Sequence, residues 1–445
     1  MSALVDPLVQ ESVRRKLRPA RRRKAASAAN VLRPWLRIQS LNVTRHAAAL
    51  RPFRREEFGT GPALPSEGHL LAVNTLITKL RTGLLKMSAS VRKGIERASD
   101  NLQPSELQGV VDQKDRAHIW VRGIEKIWDF YFELFGQRQG AYADWLLSCD
   151  RIALDCYKVS YTGLGVAKPV PSPPPFCFMR TGFAPATMRR GIPLRRLGKQ
   201  LNPFPLIQLP YHRLINPWTL SAVLHEVSHN LQTELGLSRE VPRNVAERLL
   251  RAGVPKSVAK VWTRWNREMF SDMCALLLGG PASLGSLMDV VGRSRKAVFG
   301  YNPRGPHPTP YLRTLISCEL MKRMGFRRDA EEHARAWTRI YPDPYAGSIP
   351  RDVVSTFSKA CPLAVDTMCF RPFRALGDRR LAQVLPFQPK DQTMVEEAAR
   401  RLAAGVDPGI VPERYLIGAS RVALDRRLAR PGVIMKNFYA ELTRR

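Results

Sequence analysis

The stretch Leu224-His225-Glu226-Val227-Ser228-His229 decides the reading of this chain. On a helix, residues four apart share a face, so His225 and His229 can aim ring nitrogens at one point. Glu226 sits about 100° round the helix, within reach of a water at that point without being forced to bind there. This HExxH arrangement supplies two zinc ligands and a general base. Asn216-Pro217 upstream reads as a helix start, with Asn as N-cap and Pro at the first helical position. Leu220, Val223, Leu224, Val227 and Leu231 recur at helical spacing, and Gly236 is a natural stop. The plainer alternative is two surface histidines on an ordinary amphipathic helix.

A hydrolytic zinc site needs a third protein ligand and an open fourth position. Val258, Val261, Trp262, Trp265, Met269, Met273 and Leu276 mark a second apolar helix, ended by Gly279-Gly280-Pro281. Glu268 and Asp272 fall inside that stripe, four apart. Carboxylates in an apolar helix are costly to bury unless they meet a cation or strong hydrogen-bond donors. Glu268 as ligand, with Asp272 accepting from a ligand imidazole N–H, removes that cost. Two solvated helix charges beside Arg264 and Arg267 are the competing reading.

These elements resemble the gluzincin zinc peptidases, whose third ligand is the Glu of an ExxSD or ExxAD element; in this chain the run is Glu268-Met269-Phe270-Ser271-Asp272. His307-Pro308-Thr309-Pro310-Tyr311-Leu312-Arg313 resembles the HPxxxxR element of one gluzincin branch, which includes membrane proteases. The resemblance covers roughly 205–326. It implies a zincin-like core in which an edge strand beside the zinc helix holds substrate backbone, a role that falls to the proline-bounded segment Phe204–Pro210. It further implies one Zn2+ per chain held by His225, His229 and Glu268. Glu226 would be the general base, and His307, Tyr311 and Arg313 are the candidates for oxyanion donor, with His307 favoured. Should a helix start after Pro310, Arg313 would instead brace the ligand helix through a buried carboxylate, Asp272 first. No GxMEN exopeptidase element occurs, so cleavage within chains is expected.

Composition sets the frame. At 445 residues the chain exceeds a single core, and two or three units are expected. No run of 18 apolar residues predicts a membrane span. Seven cysteines, odd in number and without a CxxC pair, argue against a disulfide framework and for a reducing, cytoplasmic setting. Neither a phosphate-binding Gly loop nor a nucleophile elbow is present. The expected class is α+β, predominantly α-helical, with a zincin-like catalytic core, a short edge sheet and helical flanking units. The expected divisions are a basic, disordered tail over 1–60, a helical unit over 61–165, a Pro-rich linker over 166–182, the catalytic domain over 183–330 and a helical accessory unit over 331–445.

The tail carries fourteen Lys or Arg against four acids, in a chain of net charge +33. It reads as solvated tail, as contact for nucleic acid or anionic membrane, or as an organellar transit peptide. The expected reaction is zinc-dependent hydrolysis of peptide bonds in a peptide or protein substrate. Two other classes stay open: a polyanion-binding protein with a structural or vestigial zinc site, and a zinc hydrolase of non-peptide amides or esters.

Overall fold

A computed structural model describes residues 7–165, 169–182, 184–193 and 200–445, with side chains from residue 28 onward. Helices account for 71% of it, which makes the chain α+β and predominantly helical. The described residues divide into two compact units: one comprises residues up to Glu57, His69–Glu133 and Pro193–Gln200, the other Phe58–Gly68, Leu134–Ile192 and Leu201–Arg445.

The first unit holds α1 (Pro7–Ala49), α2 (Glu67–Asn101) and most of α3 (Pro104–Gly136). Where a disordered tail over 1–60 is expected, the chain is helical from Pro7, and Leu36, Val43, Ala47 and Leu50 are buried. Their spacing of seven, four and three is a helical stripe that the surrounding charge hides. Polar pins hold this segment in the unit. The Asn74 amide exchanges hydrogen bonds with the backbone of Phe53, at 2.8 and 2.9 Å, and Arg81 Nε donates to Ala47 O at 2.9 Å. The Arg14–Lys16 and Arg21–Lys24 side chains, on which the polyanion and transit-peptide readings rest, lie outside the described residues.

The first long helix wholly within the second unit is α4 (Ala143–Gly163). The expected Pro-rich linker over 166–182 carries strand β1 (Phe176–Met179), followed by β2 (Ala186–Met188) and β3 (Leu206–Leu209). The sheet order is β1-β3-β2, with β1 parallel and β2 antiparallel to β3. Phe204–Pro210 is therefore the centre of the sheet, not its edge. Leu206, Ile207 and Leu209 are fully buried, as a strand covered on both sides must be, and Pro205 and Pro210 stand just outside the paired residues. The edge strands are β1 and β2.

After the single turn α5 (Tyr211–Leu214) comes α6 (Ser221–Glu234), the helix of the HExxH run. It starts later than expected. Pro217–Thr219 is a 3-10 turn, and the Asn216 side chain donates to His212 O instead of capping the helix. Gly236 ends this region at φ 77°, a left-handed position suited to glycine. Then follow α7 (Leu237–Arg251), α8 (Lys256–Gly279), α9 (Ala282–Val291), α10 (Arg295–Val298) and α11 (Pro310–Arg323). Helices α6 and α8 run antiparallel, as three ties along their length show: Gln232 to Asn266, His225 to Asp272, and Ser221 to Ser283 just beyond α8. Trp262, Trp265, Leu224, Val227 and Leu231 form the packed side of this pair and are fully buried. The expected accessory helices, including Pro389–Ala404 and Tyr415–Asp425, share this same core through Val395, Leu402, Leu416 and Ile417. Among the described residues, no helix is long and apolar enough to cross a membrane.

Gly280, which stops α8, tests this packing. Its φ is 69°, and a Cβ there would stand 2.3 Å from the Phe387 ring. Gly280→Ala should cost about 2–4 kcal/mol from backbone strain and overpacking. A urea midpoint equal to that of the parent chain would show that the junction is loose.

Candidate metal centre

Three donors converge between α6 and α8. His225 Nε2 and His229 Nε2 are 3.1 Å apart, and Glu268 places Oε2 at 3.4 Å from the first and Oε1 at 3.5 Å from the second. Tetrahedral ligands at about 2.0–2.1 Å from an ion lie about 3.3 Å from one another, so the two imidazole nitrogens stand at ligand spacing, and one donor atom from each of the three residues lies within 4.8 Å of the others. His225, His229 and Glu268 thus form a group that could hold a metal ion. Three protein donors would leave a four-coordinate ion one position for a further ligand.

Two imidazole nitrogens at this distance cannot both carry a proton at low cost. Burial alone would lower the His225 pKa, but hydrogen bonds to Asp272 and Glu268 outweigh it and raise it to about 10. Burial, and then the charge of His225, push His229 down to about 3. Burial opposes ionisation of Glu268, yet hydrogen bonds from His225 and His307 hold its carboxyl far below the usual range. A cation at the centre satisfies both ring lone pairs at once.

Asp272 does not enter this donor set. Its Oδ1 accepts from His225 Nδ1 at 2.9 Å, which fixes the ring and turns Nε2 toward the centre. The Arg313 guanidinium then grips the same carboxylate, Nε to Oδ2 at 2.5 Å and Nη2 to Oδ1 at 2.8 Å. Burial works against the ionised Asp272, and Arg313 next to it more than compensates, so its pKa is lowered. Arg313 lies in the first turn of α11, because that helix starts at Pro310.

Glu226 is buried, 7% exposed, and borders the same cleft without joining the donors. Burial lifts its carboxyl pKa to about 7. His307 also borders the cleft; its Nε2 is 3.1 Å from Glu268 Oε2, and its side chain is 58% exposed. The loop that carries it is pinned by Arg264, which donates to Gly305 O at 3.1 Å and to the Tyr301 hydroxyl at 2.7 Å. Tyr311 is not part of the site. It is buried against Phe299, ring centroids 5.1 Å apart, and its carbonyl accepts from Trp337 Nε1. Two residues along a helix turn the side chain by about 200°, so Arg313 and Tyr311 cannot face the same way.

The cleft has a volume of about 490 Å3 and continues on both sides of the donors. One wall is β2, tied to α6 by Asn230 Nδ2 donating to Thr187 Oγ1 at 2.7 Å. At the N-terminal end of α6 the lining mixes Ala222, Leu276, Leu284, Leu287 and Val290 with Ser221, Ser283 and Ser286. At the other end stand Gln232, Arg189 and Arg267. Neither β2 nor α9 is legible as cleft wall from sequence. Arg267 carries a weak signal through its place beside Glu268, and Arg189 carries none. Comparison with protein-family models, with characterised proteins and with solved structures finds no match.

Asp272 supports the donors from outside, and that has a measurable consequence. Asp272→Ala and Arg313→Ala should each weaken metal binding by about 10–100-fold, while Glu268→Ala abolishes it. Competition against a chromophoric chelator reads these affinities. Parental affinity in Asp272→Ala would show that His225 is oriented by packing alone.

Proposed function

We propose that this chain is a zinc-dependent hydrolase of peptide bonds, of gluzincin type, that cleaves within chains. One observation carries the reading: two imidazole nitrogens and a carboxylate converge, while a further acidic side chain, Glu226, stays out of the donor set yet borders the same cleft. Zinc suits two nitrogens and one oxygen at these separations, and when bound it supplies Lewis acidity toward a carbonyl and toward water.

The residues divide the remaining work. His225, His229 and Glu268 hold the ion, with Asp272 and Arg313 locking His225. Glu226 accepts a proton from the attacking water at a carboxylate oxygen and delivers it to the leaving nitrogen. Its buried position keeps bulk water from competing for that proton. His307, on a loop pinned by Arg264, offers an N–H to the oxygen that gains charge as the carbonyl is attacked. The cleft is lined near both ends of α6, which suits a chain laid across the donors and so supports endoproteolysis, and the free edge of β2 is placed to take substrate backbone in extended form. The basic N-terminal segment is a contact for polyanions on this reading, with no part in the chemistry.

Glu226→Gln should keep one zinc per chain and lose nearly all turnover of peptide substrates, because only the proton acceptor is removed. His307→Ala should lower kcat by roughly 10²–10³ with zinc content and KM little changed. Metal analysis and steady-state kinetics on the same preparations separate the two effects. Undiminished turnover in Glu226→Gln would overturn the hydrolase reading.

A further inference from the structure

The end of the cleft beyond His229 holds two cations without a carboxylate partner among the described residues. Arg189 follows directly on β2, and Arg267 precedes Glu268 on α8. Both line the cleft together with Gln232. The Gln232–Asn266 hydrogen bond, 3.0 Å, joins α6 to α8 at this end, and Arg267, the next residue of α8, is exposed there. Arg189 is half-buried, and its Nη1 donates to Thr233 Oγ1 at 2.9 Å, which fixes the direction of the guanidinium. By contrast Arg190, the next residue, lies 3.6 Å from Glu234, and Arg313 is fully engaged by Asp272.

Two guanidinium groups cannot shed their charge at any ordinary pH. Burial disfavours the charged form of Arg189, and the charge of Arg267 disfavours it further, so the pair stands within mutual electrostatic reach. Holding like charges together at the rim of a cleft is unfavourable until an anion enters between them. Arginine offers a planar fork of donors that matches a carboxylate. The opposite end of the cleft mixes apolar residues with serines, and the one cation near it, Arg313, is engaged by Asp272. The two ends therefore differ in what they accept, with the metal donors between them.

We propose that Arg189 and Arg267 form a carboxylate-binding subsite that selects substrates with an acidic group on one side of the bond to be cut. This rests on the hydrolase reading and adds the substrate class to it. The carboxylate can belong to a Glu or Asp side chain, as cleavage within chains requires, or to a chain terminus, which would move the cut to the chain end; the chemistry of recognition is the same.

The test uses the zinc-loaded full chain and three fluorogenic peptides of one length. The first carries Glu near an apolar residue and is capped at both ends. The second has Gln in its place. The third is the Gln peptide with a free terminal acid. The kcat/KM for the Glu peptide, or for the free acid, should exceed that of the capped Gln peptide by about 10-fold or more, the scale of one charged hydrogen-bonding contact. Which of the two is favoured tells whether side chain or terminus supplies the carboxylate. That ratio should fall toward one in R189Q/R267Q and with rising salt. In R189E/R267E a Lys peptide should overtake the Glu peptide, which a purely structural role of these arginines would not produce. Equal rates on all three peptides, or a preference that survives R189Q/R267Q, would overturn the subsite. Calorimetric titration of the same peptides into E226Q reads the preference as a ratio of Kd values without turnover. Absence of cleavage then counts against the hydrolase reading alone, and equal Kd values count against the subsite alone.

Discussion

The buried carboxylate of Asp272 is the constraint on which the site depends. It accepts from His225 Nδ1 on α6, sits itself on α8, and is gripped by the Arg313 fork on α11. Removing a carboxylate from water is expensive, and the cost is offset only because every partner is in place. Losing any one partner leaves an uncompensated charge, so three helices are held in a fixed relation by a single group. That relation brings His225, His229 and Glu268 to ion-binding distance.

The remaining parts are arranged around this junction. Glu226 faces the cleft because it follows His225 on a helix whose register Asp272 fixes. The loop bearing His307 is placed by Arg264, one turn before Glu268 on α8, so the same helix supplies a donor, the support of His225 and the anchor of a neighbouring loop. Strand β2 is tied to α6 through Asn230, the residue after His229. Stability and site geometry therefore draw on the same contacts. A cleft lined by apolar residues and serines at one end and by two arginines at the other follows from the antiparallel run of α6 and α8.

Much of the site is legible in the sequence because helical spacing alone constrains it. His225 with His229, and Glu268 with Asp272, are separated by four, and in each case the structure sets the pair on one face. The bond from Arg313 to Asp272 is legible as well, since Pro310 fixes where α11 begins. Tyr311 departs from expectation for the same reason: residues two apart on a helix point away from each other, and Phe299 and Trp337 take the face that Tyr311 occupies. The sheet edge falls elsewhere than expected because Ala186-Thr187-Met188 has no strand pattern of its own. It is extended because β3 pairs with it, a long-range effect that local sequence does not carry. At the N-terminus, the density of Arg and Lys conceals a spaced apolar stripe from Leu36 to Leu50 that is buried in the first unit.

The most direct measurement is anomalous diffraction at the zinc absorption edge from crystals of the zinc-loaded chain. One strong peak within about 2.0–2.2 Å of His225 Nε2, His229 Nε2 and a Glu268 oxygen is the expected result. No peak between α6 and α8, or a peak coordinated by other side chains, would contradict the assignment of this group as a zinc centre.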